Sequence, residues 1–120
     1  MTNILVVDDD PAILHFTALL LKSEGHNVTT ADRGLDALAI IADDDPDLVV
    51  LDLSMPEMDG ATVCRLARRA GYEHPVLVLS AAADAPQVSR EIHAEGFLQK
   101  PFDPDTLLDY VDQLVPPRST

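Results

Sequence analysis

The chain has 120 residues, 47% hydrophobic and 24% charged, the composition of one globular domain able to bury about two-thirds of its unfolded surface. Eight basic against 21 acidic residues give a formal charge of −13, which argues against direct nucleic-acid binding by this domain, because phosphate backbones demand Lys/Arg patches. No apolar run has the length of a membrane span, and Met1-Thr2-Asn3 leads straight into a strand-like segment, so neither a span nor a signal peptide is expected and the location follows as cytoplasmic.

Residues 4–7 (ILVV) form a short apolar run that ends in Asp8-Asp9-Asp10-Pro11. Asp10 before Pro11 is a helix start, a capping acid followed by proline at the first helical position. The helix runs through Leu14, Ala18 and Leu21 to about Glu24, and Gly25 stops it. Residues 27–31 (NVTTA) read as a more polar strand, fit for a sheet edge. Residues 34–42 carry Leu35, Leu38 and Ala42 at helical spacing, and an acidic loop with Asp43, Asp44, Asp45 and Asp47 follows as solvated surface.

The organising stretch is 48–60, LVVLDLSMPEMDG. Its uninterrupted apolar start suits a strand buried on both faces of a parallel sheet, and Asp52 stands at the carboxyl end of that strand. Beyond Gly60 the stripe Val63, Leu66, Ala67, Ala70 marks a helix closed by Gly71. Cys64, the single cysteine, lies beside that stripe and reads as a packing residue; it excludes a disulfide framework. His15, His26, His74 and His93 are scattered, with no zinc-ligand spacing. Pro75 opens a strand over 76–79 that ends at Ser80. A small-residue loop over 81–85 precedes a short helix at 86–94, with Val88 and Ile92 inward. A brief strand over 97–99 ends at Lys100-Pro101. Asp103-Pro104 repeats the cap-plus-proline start of a last helix through Leu107, Val111, Leu114 and Val115. Pro116-Pro117 ends it, leaving 1–115 as one domain and 116–120 as a tail or linker stub.

Strand and helix thus alternate five times, the pattern of a parallel sheet with helices on both faces. In such a sheet the strand ends share one edge, where ligands bind. That edge gathers Asp8/Asp9, Asp52, Ser80 and Lys100. Taken singly, a strand-end acid is more often a helix cap, as Asp10 and Asp59 are read here, a serine a turn residue and a lysine a surface group. Four such residues at four strand ends are poorly explained that way. Three crowded carboxylates are mutually destabilising without a cation, and Mg²⁺ suits a few carboxylates with open positions for water and phosphate oxygens. Asp52 can then act as a nucleophile toward a phosphoryl group, with Lys100 and Ser80 meeting its oxygens.

The motifs VVDDDP, LDLSMPEMDG, LVLSA and FLQKPF together resemble those of bacterial two-component response-regulator receiver domains, over essentially the whole chain. The resemblance implies a flavodoxin-like (βα)5 sheet in order 2-1-3-4-5. It implies phosphotransfer to Asp52 from a histidine kinase or phosphotransfer protein. It also implies a Mg²⁺ site of Asp8, Asp9, Asp52 and the backbone carbonyl of Ser54. Ser80 and Lys100 would take the phosphoryl oxygens, Phe97 would change rotamer on activation, and a cis Lys100-Pro101 bond would aim the lysine. Output would pass to a partner or a second copy through the face of the fourth helix, fifth strand and fifth helix. Two departures touch that face: the Ser80–Lys100 interval is short, and His93 stands where glycine is commoner. An aspartyl-phosphate hydrolase of the haloacid-dehalogenase type is the enzyme alternative. It would carry a second acid two residues after Asp52, where this chain has Ser54. A flavodoxin-like electron carrier would need a phosphate-cradling loop in place of Asp8-Asp9. A phosphorylation-independent interaction domain would normally lack Asp52 or Lys100.

Overall fold

The computed structural model describes residues 2–115. In chain order these form β1 (Asn3–Val7), α1 (Pro11–Ser23), β2 (Asn27–Ala31), α2 (Gly34–Asp44), β3 (Leu48–Asp52), α3 (Gly60–Arg69), β4 (Val76–Ser80), α4 (Ala85–Glu91), β5 (Gly96–Gln99) and α5 (Pro104–Leu114). The strands make one parallel sheet in the order β2-β1-β3-β4-β5, the expected flavodoxin-like arrangement. Among the described residues no helix is long and apolar enough to cross a membrane.

The uninterrupted apolar runs are explained by the layers. Every residue of β3 and β4 is buried, because alternate side chains enter different cores. Leu5, Val7, Val49, Leu51, Val76 and Val78 pack with Ala37, Ile41, Val63 and Ala67 of α2 and α3. Ile4, Val6, Leu48, Val50, Leu77 and Leu79 pack with Leu21 of α1 and with Leu107 and Val111 of α5. At the edge, β2 shows only Ala31 buried, as its polar sequence requires.

Helix ends follow the capping signals. Asp10 accepts from the N–H groups of Ala12 and Ile13 at 2.9 and 3.3 Å, Asp59 from Thr62 at 2.8 Å, and Asp103 from Asp105 at 2.9 Å. Three helices share one kind of stop. After α1, α3 and α4 the chain passes through a left-handed residue, Gly25, Gly71 and His93, whose N–H bonds back to Lys22, Arg68 and Arg90. The next N–H closes the motif on Leu21, Ala67 and Ser89. His93, at φ +57°, therefore occupies a position that favours glycine.

The structure departs from expectation in local detail. Asp43 and Asp44 belong to α2, which meets no helix breaker before the left-handed Asp45 (φ 46°) and Pro46. Helix α4 starts at Ala85 and stops at Glu91, so Ile92 and Ala94 lie in its capping turn. Leu35 and Leu66, read as members of apolar stripes, are exposed, and so are Ala42 and Ala70. The Lys100-Pro101 bond is cis, as expected.

Cys64 is buried among apolar neighbours, and burial, outweighing nearby Arg68, pushes its thiol up. Tyr72 is buried too, and its hydroxyl donates to the carbonyl of Pro46 at 2.8 Å, tying the end of α3 to the entry of β3. Arg68 closes the same corner, donating to the carbonyls of Tyr72 and His74 and pairing with Glu95 at 2.8 Å.

Candidate phosphoacceptor site

Asp8 and Asp52 are placed by strand ends. Asp8 continues β1, its N–H donating to the Ala31 carbonyl at 3.1 Å, so that backbone pairing fixes it before its side chain acts. Its Oδ1 accepts from the Asp10 N–H at 2.9 Å. Asp52 is the last residue of β3, and its Oδ1 accepts from the Ser54 N–H at 3.3 Å. Gly60 makes room beside it, since a Cβ there would collide with the Asp52 carbonyl oxygen. Asp8 and Asp52 are 2% and 6% exposed, whereas Asp9 faces solvent.

Carboxylate oxygens of Asp8, Asp9 and Asp52 lie within 4.8 Å of one another. Lys100 enters from the end of β5, its backbone N–H on the Ser80 carbonyl at 3.0 Å. Its ammonium sits 2.6 Å from Asp8 Oδ2 and 3.5 Å from Asp52 Oδ1. Asp8 is thus its nearer partner, a preference the sequence did not reveal. Ser80 is fully buried at the end of β4, its Oγ accepting from the Ala82 N–H at 3.1 Å. Phe97 is half-buried one strand over, against the core shared with α4.

Burial raises the Asp52 carboxyl above the usual carboxylate range; Lys100 opposes this, Asp8 and Asp9 reinforce it, and the Ser54 N–H lowers it. One ammonium cannot neutralise three acids. A set of hard oxygen donors with surplus negative charge fits a divalent cation such as Mg²⁺.

The structure therefore brings together Asp8, Asp9, Asp52, Ser54, Ser80 and Lys100 at one sheet edge. It adds two residues that sequence spacing did not single out. Met58 lies over Gly34, where a Cβ would stand 2.9 Å from both the Cβ and Sδ of Met58. Glu57 takes a left-handed conformation at φ +69°. Met58 was part of a turn-rich run, and no local pattern links it to residue 34.

A flavodoxin-like sheet with three acids and a lysine at its carboxyl edge is the arrangement that the receiver-domain resemblance implies. The chain belongs to the response regulator receiver domain family, whose sequence profile matches residues 4–112. It is 42% identical over 108 residues to the response regulator MprA of Mycolicibacterium vanbaalenii, covering 88% of this chain and 47% of that protein. MprA of Mycobacterium avium is 41% identical over the same length and shares. The chain spans about half the length of these relatives. In structure it is similar to the Vibrio cholerae chemotaxis protein CheY4, with 30% identity, a TM-score of 0.89 and coverage of 96% and 99% of the two chains. The beryllofluoride-activated receiver domain of Klebsiella pneumoniae RstA matches with 30% identity, a TM-score of 0.86 and coverage of 94% and 97%.

Proposed function

We propose that this domain is a phosphorylation-dependent switch in which Asp52 accepts a phosphoryl group from a histidine kinase or phosphotransfer protein. The observation that carries the reading is the convergence of Asp8, Asp9, Asp52 and Lys100 at the end of β3, a strand buried throughout. A carboxylate oxygen of Asp52 forms the new bond to phosphorus as the phosphorus–nitrogen bond of the donor histidine breaks, and the imidazole leaves with that electron pair. Asp8, Asp9 and Asp52, with the Ser54 carbonyl, would hold Mg²⁺, which supplies positive charge to the phosphoryl oxygens when bound. Lys100 contributes a second positive charge, for which it must turn from Asp8 toward the incoming group. The Ser80 hydroxyl donates to a third oxygen. Transfer stops at the aspartyl phosphate apart from slow self-catalysed phosphorylation and hydrolysis, because no second acid follows two residues after Asp52.

Drawing Ser80 toward the phosphoryl group vacates space that Phe97 fills. The surface of α4, β5 and α5 then changes shape and binds an output partner or a second copy. The experiment is incubation with Mg²⁺ and acetyl phosphate. One base-labile phosphoryl group is expected, and Asp52→Asn should abolish it. Labelling that survives in that variant, or maps to a serine, refutes the assignment.

A further inference from the structure

The loop between β3 and α3 is under strain at one point. The Met58 N–H donates to the carbonyl of Pro56 at 2.7 Å, closing a three-residue turn around Glu57. With Glu57 at φ +69° this is the rarer, strained form of that turn, in a residue whose side chain gives no relief from left-handed geometry. Such a conformation persists only where the surroundings hold it. Pro56 and Glu57 are exposed and supply no hold.

Two contacts do. The Gly60 N–H bonds to the Leu53 carbonyl at 3.0 Å at the far end of the loop. Met58 is seated directly on Gly34 at the start of α2, so closely that a Cβ at 34 would press on Met58 Cβ itself. A clash at Cβ is not relieved by a rotamer change, so the backbone of residue 58 would have to move. A cleft of about 240 Å³ lined by Arg33, Leu35, Pro56 and Glu57 leaves room on the outer side for that movement.

We propose that Met58 is a positioning residue. Seated on Gly34, it holds the strained turn at Glu57 and so keeps the Ser54 backbone registered against Asp52. This rests on the reading of Asp8, Asp9, Asp52 and the Ser54 carbonyl as the Mg²⁺ and phosphoacceptor site. Met58 touches none of the reacting groups; it acts through the loop.

The test follows Mg²⁺ affinity by NMR titration, and amide exchange of residues 53–58 in chelator. Met58→Ala should weaken Mg²⁺ binding by about tenfold, the equilibrium factor for releasing one left-handed residue. It should also speed exchange of the Ser54 amide, while Met58→Leu stays near the parent. Gly34→Ala should weaken Mg²⁺ binding too, although alanine is the better helix former. Adding Glu57→Gly to Met58→Ala should restore affinity, because glycine adopts the turn without strain. A parent protein that neither binds Mg²⁺ nor accepts phosphoryl from acetyl phosphate would sink the phosphoacceptor reading, and this proposal with it. With a competent parent, a Met58→Ala protein that binds Mg²⁺ as tightly overturns the positioning role alone. Loss without rescue by Glu57→Gly overturns it as well, since Met58 would then serve only general stability.

Discussion

Replacing Asp52 by Asn should make the metal-free protein more stable although it removes the proposed acceptor. The Asp52 carboxylate lies within 4.8 Å of those of Asp8 and Asp9 and 3.5 Å from the Lys100 ammonium. At an effective dielectric constant of ~20 the attraction to Lys100 is worth about 4.7 kcal/mol and the repulsion from buried Asp8 at least about 3.5 kcal/mol, while Asp9, which faces solvent, adds a smaller, screened repulsion. These charges nearly cancel, and desolvation of the 6%-exposed carboxylate, the largest cause of its raised pKa, leaves the net penalty. Asparagine keeps an acceptor oxygen for the Ser54 N–H, so little is lost in exchange. The expected gain is on the order of 1–2 kcal/mol, or about 5 °C in Tm. The folded-state carboxyl is raised above its unfolded value, so the penalty is fully present above the folded pKa and vanishes as pH falls below the unfolded one. The advantage of Asp52→Asn should therefore be largest near neutrality and close toward acid. Urea unfolding followed by circular dichroism in chelator, across pH, measures it, and added Mg²⁺ should narrow the gap by binding only the parent. An Asp52→Asn protein less stable than the parent in chelator at neutral pH would refute the electrostatic account.

Lys100→Met should abolish phosphoryl acceptance, and in chelator should cost about 3 kcal/mol of stability, because Asp8 loses its cation while 2% exposed; acetyl phosphate labelling and urea midpoints report the two effects. His93→Gly should stabilise the fold by about 0.5–1 kcal/mol, since the left-handed turn after α4 suits glycine, and an unchanged urea midpoint would show the turn to be unstrained. Beryllofluoride with Mg²⁺ should shift amides at Ser80, Phe97 and along α5; shifts confined to the Asp52 loop would remove the proposed coupling.

The elements legible in the sequence were those whose two ends and interior agreed. Residues 48–52 read as a doubly buried strand because each face meets its own core, and Asp10, Asp59 and Asp103 read as caps because the donors they satisfy are local. The site was legible for the same reason: parallel strands put their ends on one edge whatever the loops do. What stayed hidden depends on approach between distant segments. Met58 on Gly34, Arg68 across to Glu95 and the preference of Lys100 for Asp8 all depend on packing that no short window of sequence contains. Exposure of Leu35 and Leu66 was missed because helical spacing identifies a stripe but not how far the neighbouring helix covers it. The end of α4 was missed because His93 carries none of the signal that Gly25 and Gly71 give at the same kind of stop.

The tyrosine that ties α3 to the entry of β3 has a spectroscopic consequence. The chain contains two tyrosines and no tryptophan, so its near-ultraviolet signal comes largely from two phenols. Burial pushes the Tyr72 hydroxyl well above the usual tyrosine range, and nearby Arg68 only partly offsets this. While the domain is folded, Tyr72 therefore remains a neutral phenol through mildly alkaline conditions. Opening of the corner held by Pro46 and Arg68 removes that burial and lets the phenol ionise at lower pH. Tyrosinate absorbance at fixed alkaline pH thus becomes a label-free clock for that opening. It reads the end of β3 opposite Asp52.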